Sequence, residues 1–440
     1  MDEYGFGRRG PGVQLLQLGL SRAGYQPGRI DGSFGRGTEN ALRQFQQAQG
    51  LPATGRSDAA TWQAMMPWLI GTRFVQLRQG DTFWRLSQQY DTSVAAISAA
   101  NPELDPRDLR PGQTVAIPLD FPVVPTGIAF TSQVLELVLT GLLLRYPYLG
   151  SGAIGSARGL PIWSVSIGEG ETQVFYNAAH HANEWITTPV LLAFLEEYCL
   201  ALLDGDTLYG YDAAELFRRT TLSIVPMVDP DGVDLVTGYL SSGPWYECAK
   251  QWAENYPSIP FPEGWKANLN GVDLNLQYPA GWEEAKRIKE SMGFTSPAPR
   301  DYVGTAPLTQ PEALAVYRHT RRNDFRLTLS YHAQGKLIYW RYLDYLPPRS
   351  EEIAQAMGEA SGYSVEETPS LSGYAGYKDW FIQTYDRSGY TIEVGQGTSP
   401  LPLSQFDGIY ADNLGILVLG LALAAQPPIA PVEEAPPLNP

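Results

Sequence analysis

Apolar and polar positions divide the chain into segments of different period. In residues 8–69 the apolar positions recur at helical spacing. Leu15, Leu16, Leu18 and Leu20 form one stripe, Ala41, Leu42 and Phe45 a second within Thr38–Gln49, and Asp58–Met66 a third that holds Thr61-Trp62. The turn-rich run Gly28-Arg29-Ile30-Asp31-Gly32-Ser33-Phe34-Gly35 links the first two. Over residues 74–118 the pattern predicts strand, helix, helix, strand. Val75-Gln76-Leu77 alternates, Gly80-Asp81-Thr82 caps a helix through Leu86, Val94–Ala100 makes another, and Leu109-Arg110-Pro111-Gly112-Gln113 turns into a closing strand. Phe121-Pro122-Val123-Val124-Pro125 reads as an extended linker. From 127 to 425 helical patterns alternate with short apolar runs: Ile162–Ile167, Thr172–Asn177, Thr221–Val228, Leu327–Tyr331 and Gly389–Val394. Such runs predict buried strands of one sheet covered by helices, an α/β domain. Residues 426–440 have no period and are rich in proline, which predicts a poorly ordered tail.

The 440 residues hold 44% apolar side chains, enough for two or three domains with a sizeable core. No apolar run is long enough for a membrane span. Nothing at Met1-Asp2-Glu3-Tyr4-Gly5 has the form of a secretory signal. The net charge is −16, and it is uneven: residues 1–120 hold 12 arginines against 11 acidic residues, so all of the negative excess falls on the remainder. An acidic main body repels phosphate and speaks against a nucleic-acid partner. Two cysteines, Cys199 and Cys248, are too few for a disulfide framework.

Candidate chemistry centres on Ala178-Ala179-His180-His181-Ala182-Asn183-Glu184, between a predicted strand and a predicted helix over Pro189–Tyr198. An imidazole and a carboxylate three residues apart at a strand exit can turn to one point. Zinc accepts both, and a catalytic zinc needs three protein ligands with one open position. A lone His-x-x-Glu recurs by chance, so a third ligand is required. His332, at the end of Ser330-Tyr331-His332, is that candidate. His180 is expected to point away or to orient His181, and His319, among Arg318, Arg321 and Arg322, to lie on a solvated helix face. Glu393 interrupts the apolar run Tyr390-Thr391-Ile392-Glu393-Val394, where an unpaired carboxylate is costly. It is either a general base or an ion-paired structural group.

Three resemblances follow. Residues 1–70 resemble a peptidoglycan-binding three-helix module through Ile30-Asp31-Gly32-Ser33-Phe34-Gly35 and Phe45-Gln46. Residues 73–119 resemble a LysM domain, a family that binds N-acetylglucosamine-containing glycans, through Gly80-Asp81-Thr82 and Leu109-Arg110-Pro111-Gly112-Gln113. Residues 127–425 resemble the zinc metallocarboxypeptidases through His181-x-x-Glu184, Val228-Asp229-Pro230-Asp231-Gly232, Gly271-Val272-Asp273-Leu274-Asn275, His332 and Glu393, in order. That resemblance implies an α/β/α sandwich on a mixed sheet of about eight strands. It also implies the His2Glu zinc site known from carboxypeptidase A, and Glu393 as general base. The family follows the asparagine by an arginine, and the pair clamps a C-terminal carboxylate. Here Leu276 follows Asn275, so the clamp is missing. The family's arginine beside the scissile carbonyl is also missing, and Lys266 takes its place in bacterial relatives.

Leu276, Lys266, Tyr278-Pro279-Ala280-Gly281-Trp282 and the two front modules together resemble one subgroup, the γ-D-glutamyl-L-diamino acid endopeptidases of spore-forming bacteria. The resemblance implies a zinc-dependent hydrolase of peptidoglycan stem peptides, with glycan strands and stem peptides as partners. It makes Asn275 a substrate-binding residue and one of Tyr374 and Tyr377 a mobile one. It also suggests Lys378 for the extra carboxylate of diaminopimelate. The alternatives are a carboxypeptidase and a non-catalytic wall-binding protein. The expected location is the wall or spore, with the cytoplasm of a sporulating cell as the other option. Nothing in the chain sets an oligomeric state.

Overall fold

The computed structural model describes residues 1–432; the last eight positions of the predicted tail lie outside the described residues. Two compact units are present, Met1–Leu149 with Asp234–Ser241, and Gly150–Val233 with the chain from Ser242 on.

The first unit begins with three helices, Pro11–Arg22, Arg36–Ala48 and Ala59–Ile70. Buried glutamines fix the loops between them. Gln17 accepts from Gly32 N (2.9 Å), and its amide donates to the Ser33 carbonyl and to Thr38. Gln46 serves the Thr54–Arg56 turn in the same way. The next part has the predicted strand–helix–helix–strand order, with Thr72–Gln76 antiparallel to Thr114–Pro118. Thr82 and Ser93 cap its helices by accepting from Arg85 N (3.1 Å) and Ala96 N (2.9 Å). Phe83, Leu86, Ile97, Val115 and Ile117 fill its core.

Two boundaries differ from the sequence reading. Residues 121–125 are not an extended linker, because Val123 and Val124 are buried and Arg22 donates to the Pro122 and Val123 carbonyls. The helix Ser132–Arg145 also belongs to the first unit, where the Arg145 guanidinium donates to the carbonyls of Gly71 and Leu119.

The second unit is built on an eight-stranded mixed sheet. In spatial order its strands are Ser364–Glu366, Leu337–Tyr339, Ser388–Glu393, Phe325–His332, Thr172–Ala178, Thr220–Val225, Leu160–Ile167 and Gly150–Ala157. The four central strands from Ser388–Glu393 to Thr220–Val225 are mutually parallel, and antiparallel neighbours flank them. Strand alternation sends Phe175 and Tyr176 to opposite faces. The Phe175 ring meets His319 (5.4 Å) and Tyr377 (5.8 Å), on helices Pro311–Arg322 and Tyr377–Tyr385. Tyr176 meets Phe194 and donates to the Leu417 carbonyl (2.6 Å), on helices Thr187–Asp204 and Phe406–Ala422. Helices therefore cover both faces, and the sheet is the middle layer of an α/β/α sandwich. In such a sheet, ligands bind beyond the carboxyl ends of the parallel strands.

Candidate active site

Three carboxyl ends converge. The strand Thr172–Ala178 ends in a sharp turn at Ala179, whose φ of 51° is unusual for a residue with a Cβ. The turn is held on both sides. Ala179 N donates to Thr187 Oγ1 (3.1 Å), and the carbonyls of Ala178 and Ala179 accept from Val228 N and Asp229 N, each at 3.0 Å. This aims His180 and His181 off the strand, and a short 3-10 turn, Ala182–Glu184, brings the carboxylate back beside them. His332 ends the neighbouring strand, in register with Glu393 at the end of the next.

The distances form a closed triangle. His181 Nδ1 is 3.0 Å from Glu184 Oε1, His332 Nδ1 is 2.9 Å from Glu184 Oε2, and the two ring nitrogens are 3.2 Å apart. All three residues are buried. Two imidazole nitrogens and a carboxylate aimed at one point make a donor set that zinc accepts, so these residues fit the ion. Burial works against charge on His181, but the Glu184 and Asp273 carboxylates outweigh it and push its pKa up to about 9. A cation entering here displaces that proton, which couples metal affinity to pH.

The surroundings complete a cavity of about 200 Å³ lined by His181, His332, Lys266, Asn275, Lys378 and Glu393, among others. Lys266 Nζ lies 2.8 Å from Glu184 Oε1, and its carbonyl accepts from Ala182 N (3.1 Å), tying its loop to the histidine turn. Burial, and next the charge of Glu184, push the Glu393 carboxyl up to about 8. Asn275 spends its Oδ1 on Tyr377 N (3.0 Å). Lys378 is buried and donates to Asp379 (2.6 Å) and to the Arg341 carbonyl (2.7 Å). Leu276 packs among Trp282, Ala285, Val303 and Ala375.

Several residues sit elsewhere than the sequence suggested. Tyr377 belongs to the core, fully buried, with its hydroxyl 3.0 Å from Thr320 Oγ1; helix packing leaves it no path to a substrate in this structure. Tyr374 lines a neighbouring cleft with Arg341 and Glu367 instead. His180, by contrast, is where it was expected: it is buried and turns away to Tyr278 Oη (2.9 Å). His319 is only partly exposed rather than on a solvated face. Its Nε2 lies 2.9 Å from Ser223 Oγ and its ring packs on Phe175 and Phe325, on the side of the helix that faces the sheet.

Sequence reasoning missed Asp273 as the partner of His181, as well as Tyr339 and Arg300, which line the cavity. Asp273 lies in the Gly271-Val272-Asp273-Leu274-Asn275 motif, whereas Tyr339 and Arg300 carry no local signal. It also missed a second acidic group. Asp229, Asp231 and Glu312 are buried together, with Arg158 Nε 3.3 Å from Asp231. Burial and mutual repulsion push Asp229 up and Glu312 to about 8, so the group holds protons rather than three charges.

Comparisons with known proteins bear on the family and the domains. A model of the zinc carboxypeptidases matches residues 150–414, a peptidoglycan binding domain residues 9–65, and a LysM domain residues 75–118. The gamma-D-glutamyl-L-diamino acid endopeptidase 1 of Lysinibacillus sphaericus is 47% identical over 285 residues, 64% of this chain and 69% of that protein. The uncharacterized protein YqgT of Bacillus subtilis is 43% identical over 293 residues, 66% of this chain and 76% of that protein. Among solved structures, thrombin-activatable fibrinolysis inhibitor aligns over 81% of this chain and 98% of its own, at 15% identity and a TM-score of 0.50, a likeness of fold alone. With the first model spanning more than half of the chain, and the 47% identical relative covered over 69% of its length, the chain belongs to the zinc carboxypeptidase family.

Proposed function

We propose that the protein is a zinc-dependent endopeptidase that cuts the γ-D-glutamyl–diaminopimelate bond of peptidoglycan stem peptides. The observation that carries the reading is Leu276. It follows Asn275 where a carboxypeptidase needs a guanidinium, and it is buried among apolar side chains, so nothing at that position grips a free C-terminus. A peptidase without that clamp has no reason to stop at chain ends. The name of the 47% identical relative and the two wall-binding domains point to the same substrate.

His181, Glu184 and His332 would hold the ion. Zinc, when bound, supplies a Lewis acid for the scissile carbonyl and acidifies a water. Glu393, raised toward neutrality, takes the proton of the attacking water and later delivers it to the leaving amine. Lys266 faces the oxygen that gains charge, as a point cation rather than a fork. The front domains hold the enzyme on its polymer and raise the local substrate concentration. Wall association is the location these domains support, and among the described residues no helix is long and apolar enough to cross a membrane.

The test is a digest of L-Ala-γ-D-Glu-meso-diaminopimelate, with and without a C-terminal D-Ala, read by mass spectrometry with Glu393→Ala as control. Cleavage after D-glutamate in both peptides, absent in the control, is expected. Loss of the terminal D-Ala alone would make the enzyme a carboxypeptidase. A zinc-loaded protein that binds wall and cuts neither would be a non-catalytic binder.

A further inference from the structure

A γ-glutamyl bond differs from an ordinary peptide bond in one chemical respect. The residue on its acyl side keeps a free α-carboxylate, three carbons from the scissile carbonyl. An enzyme selective for that bond gains by holding this charge close to the metal triad.

The main cavity offers four cations: Lys266, Lys289, Arg300 and Lys378. Three are already committed. Lys266 is bound to Glu184 at 2.8 Å, Lys289 is buried against Asp301 at 2.6 Å, and Lys378 is buried against Asp379 at 2.6 Å. Arg300 differs. Its Nε donates to Asp301 Oδ2 (2.6 Å), and its two terminal nitrogens make no hydrogen bond among the described residues. It lines both the main cavity and the adjoining one that holds Asn183, Glu184 and Glu393. Its place is fixed from both sides. The Pro299 carbonyl accepts from Lys266 N (2.8 Å) and Ala267 N (2.9 Å), and Asp301 N donates to Asp273 Oδ2 (3.1 Å). The loop carrying Arg300 is thus tied to Lys266 on one side and to the partner of His181 on the other. Asp301, held in turn by Lys289, steers the guanidinium and leaves its outer edge open.

We infer that Arg300 is a specificity residue that receives the α-carboxylate of the γ-linked D-glutamate through the free edge of its guanidinium. The inference rests on the proposed endopeptidase reading. A planar fork suits a carboxylate, and its two donors replace in part the clamp that Leu276 cannot provide. A primary amide at the same carbon presents no charge and sets an NH2 donor group against the guanidinium, and it is disfavoured.

The experiment compares L-Ala-γ-D-Glu-meso-diaminopimelate with its α-amide, the D-isoglutaminyl peptide. The zinc-loaded full chain, Arg300→Ala and Arg300→Lys are used, with thermal midpoints as a folding control. For the wild type kcat/KM is expected to favour the acid by about tenfold or more, the scale of one charge-assisted hydrogen bond. In Arg300→Ala the ratio should fall to about one, with Arg300→Lys between. A wild type that cuts both peptides equally overturns the inference and leaves the endopeptidase reading standing. A ratio unchanged in Arg300→Ala does the same. A wild type that cuts neither after the D-residue overturns both.

Discussion

His181 Nε2 lies 3.0 Å from Asp273 Oδ1, so the ring that offers Nδ1 to the metal point is held at its other nitrogen by a buried carboxylate. This fixes tautomer and orientation together, since a ring that donates through Nε2 presents a bare Nδ1 to a cation. Asp273 is itself pinned, accepting from Asn275 N at 3.2 Å and Asp301 N at 3.1 Å. Replacing Asp273 by Asn removes the charge and sets an amide donor against Asp301 N. Zinc affinity or activity should fall by roughly 10- to 100-fold while the fold persists. Competition against a chromophoric chelator measures this directly. An affinity within twofold of the wild type would show that His181 needs no orienting partner.

Glu393 stands at the end of its strand opposite His332, close enough to the triad for Glu184 to raise its pKa. If it carries the proton in hydrolysis, Glu393→Gln should lower kcat by roughly 10²- to 10⁴-fold. Zinc content and retention on insoluble wall should stay at wild-type levels, because neither the ligand triangle nor the front domains include it. Loss of zinc along with activity would instead make Glu393 part of the ion's own binding.

What was legible in the chain follows from how each feature is encoded. The central strands are buried on both faces, so they appear as apolar runs, whereas Leu337–Tyr339 and Ser364–Glu366 are three residues long and Gly150–Ala157 holds three glycines. The His181–Glu184 pair is local, and His332 and Glu393 mark strand ends, so type and place singled them out. The pairing of His181 with Asp273 spans 92 positions and leaves no periodic trace. Arg300, within Ala298-Pro299-Arg300-Asp301, reads as an ordinary loop charge until the fold sets it beside Lys266. The apparent linker at 121–125 misled because what it packs against is distant in the chain: Arg22, which donates to the Pro122 carbonyl, lies a hundred residues away.

Leu276 has a structural role as well as a diagnostic one. It is buried against Trp282, Ala285, Val303 and Ala375, so Leu276→Ala should cost about 2–4 kcal/mol through the cavity it leaves. Leu276→Arg should destabilise further, by setting a charged side chain among those apolar neighbours, and should gain no carboxypeptidase activity. Thermal unfolding and an assay on a free-C-terminus peptide check the two statements. Efficient release of C-terminal residues by Leu276→Arg would mean that this one position separates the two activities.

His319 supplies a pH dependence that is independent of the metal. Burial, and then Arg322, lower its pKa from 6.5 to about 4. The folded value lies below the unfolded one, so the unfolded chain takes up the proton first as pH falls. The contribution of the neutral ring is complete above pH 6.5 and is lost between 6.5 and 4, ~3 kcal/mol over the whole range. His319→Gln keeps a polar group near Ser223 but has nothing to titrate. The stability gap between wild type and variant, measured by denaturant unfolding of the chelated proteins, should therefore be largest near pH 7. It should shrink steadily toward pH 5. A gap that is the same at both pH values would mean that the half-buried ring protonates as readily in the folded chain as in the unfolded one, and that its packing on Phe175 and Phe325 costs the imidazolium nothing.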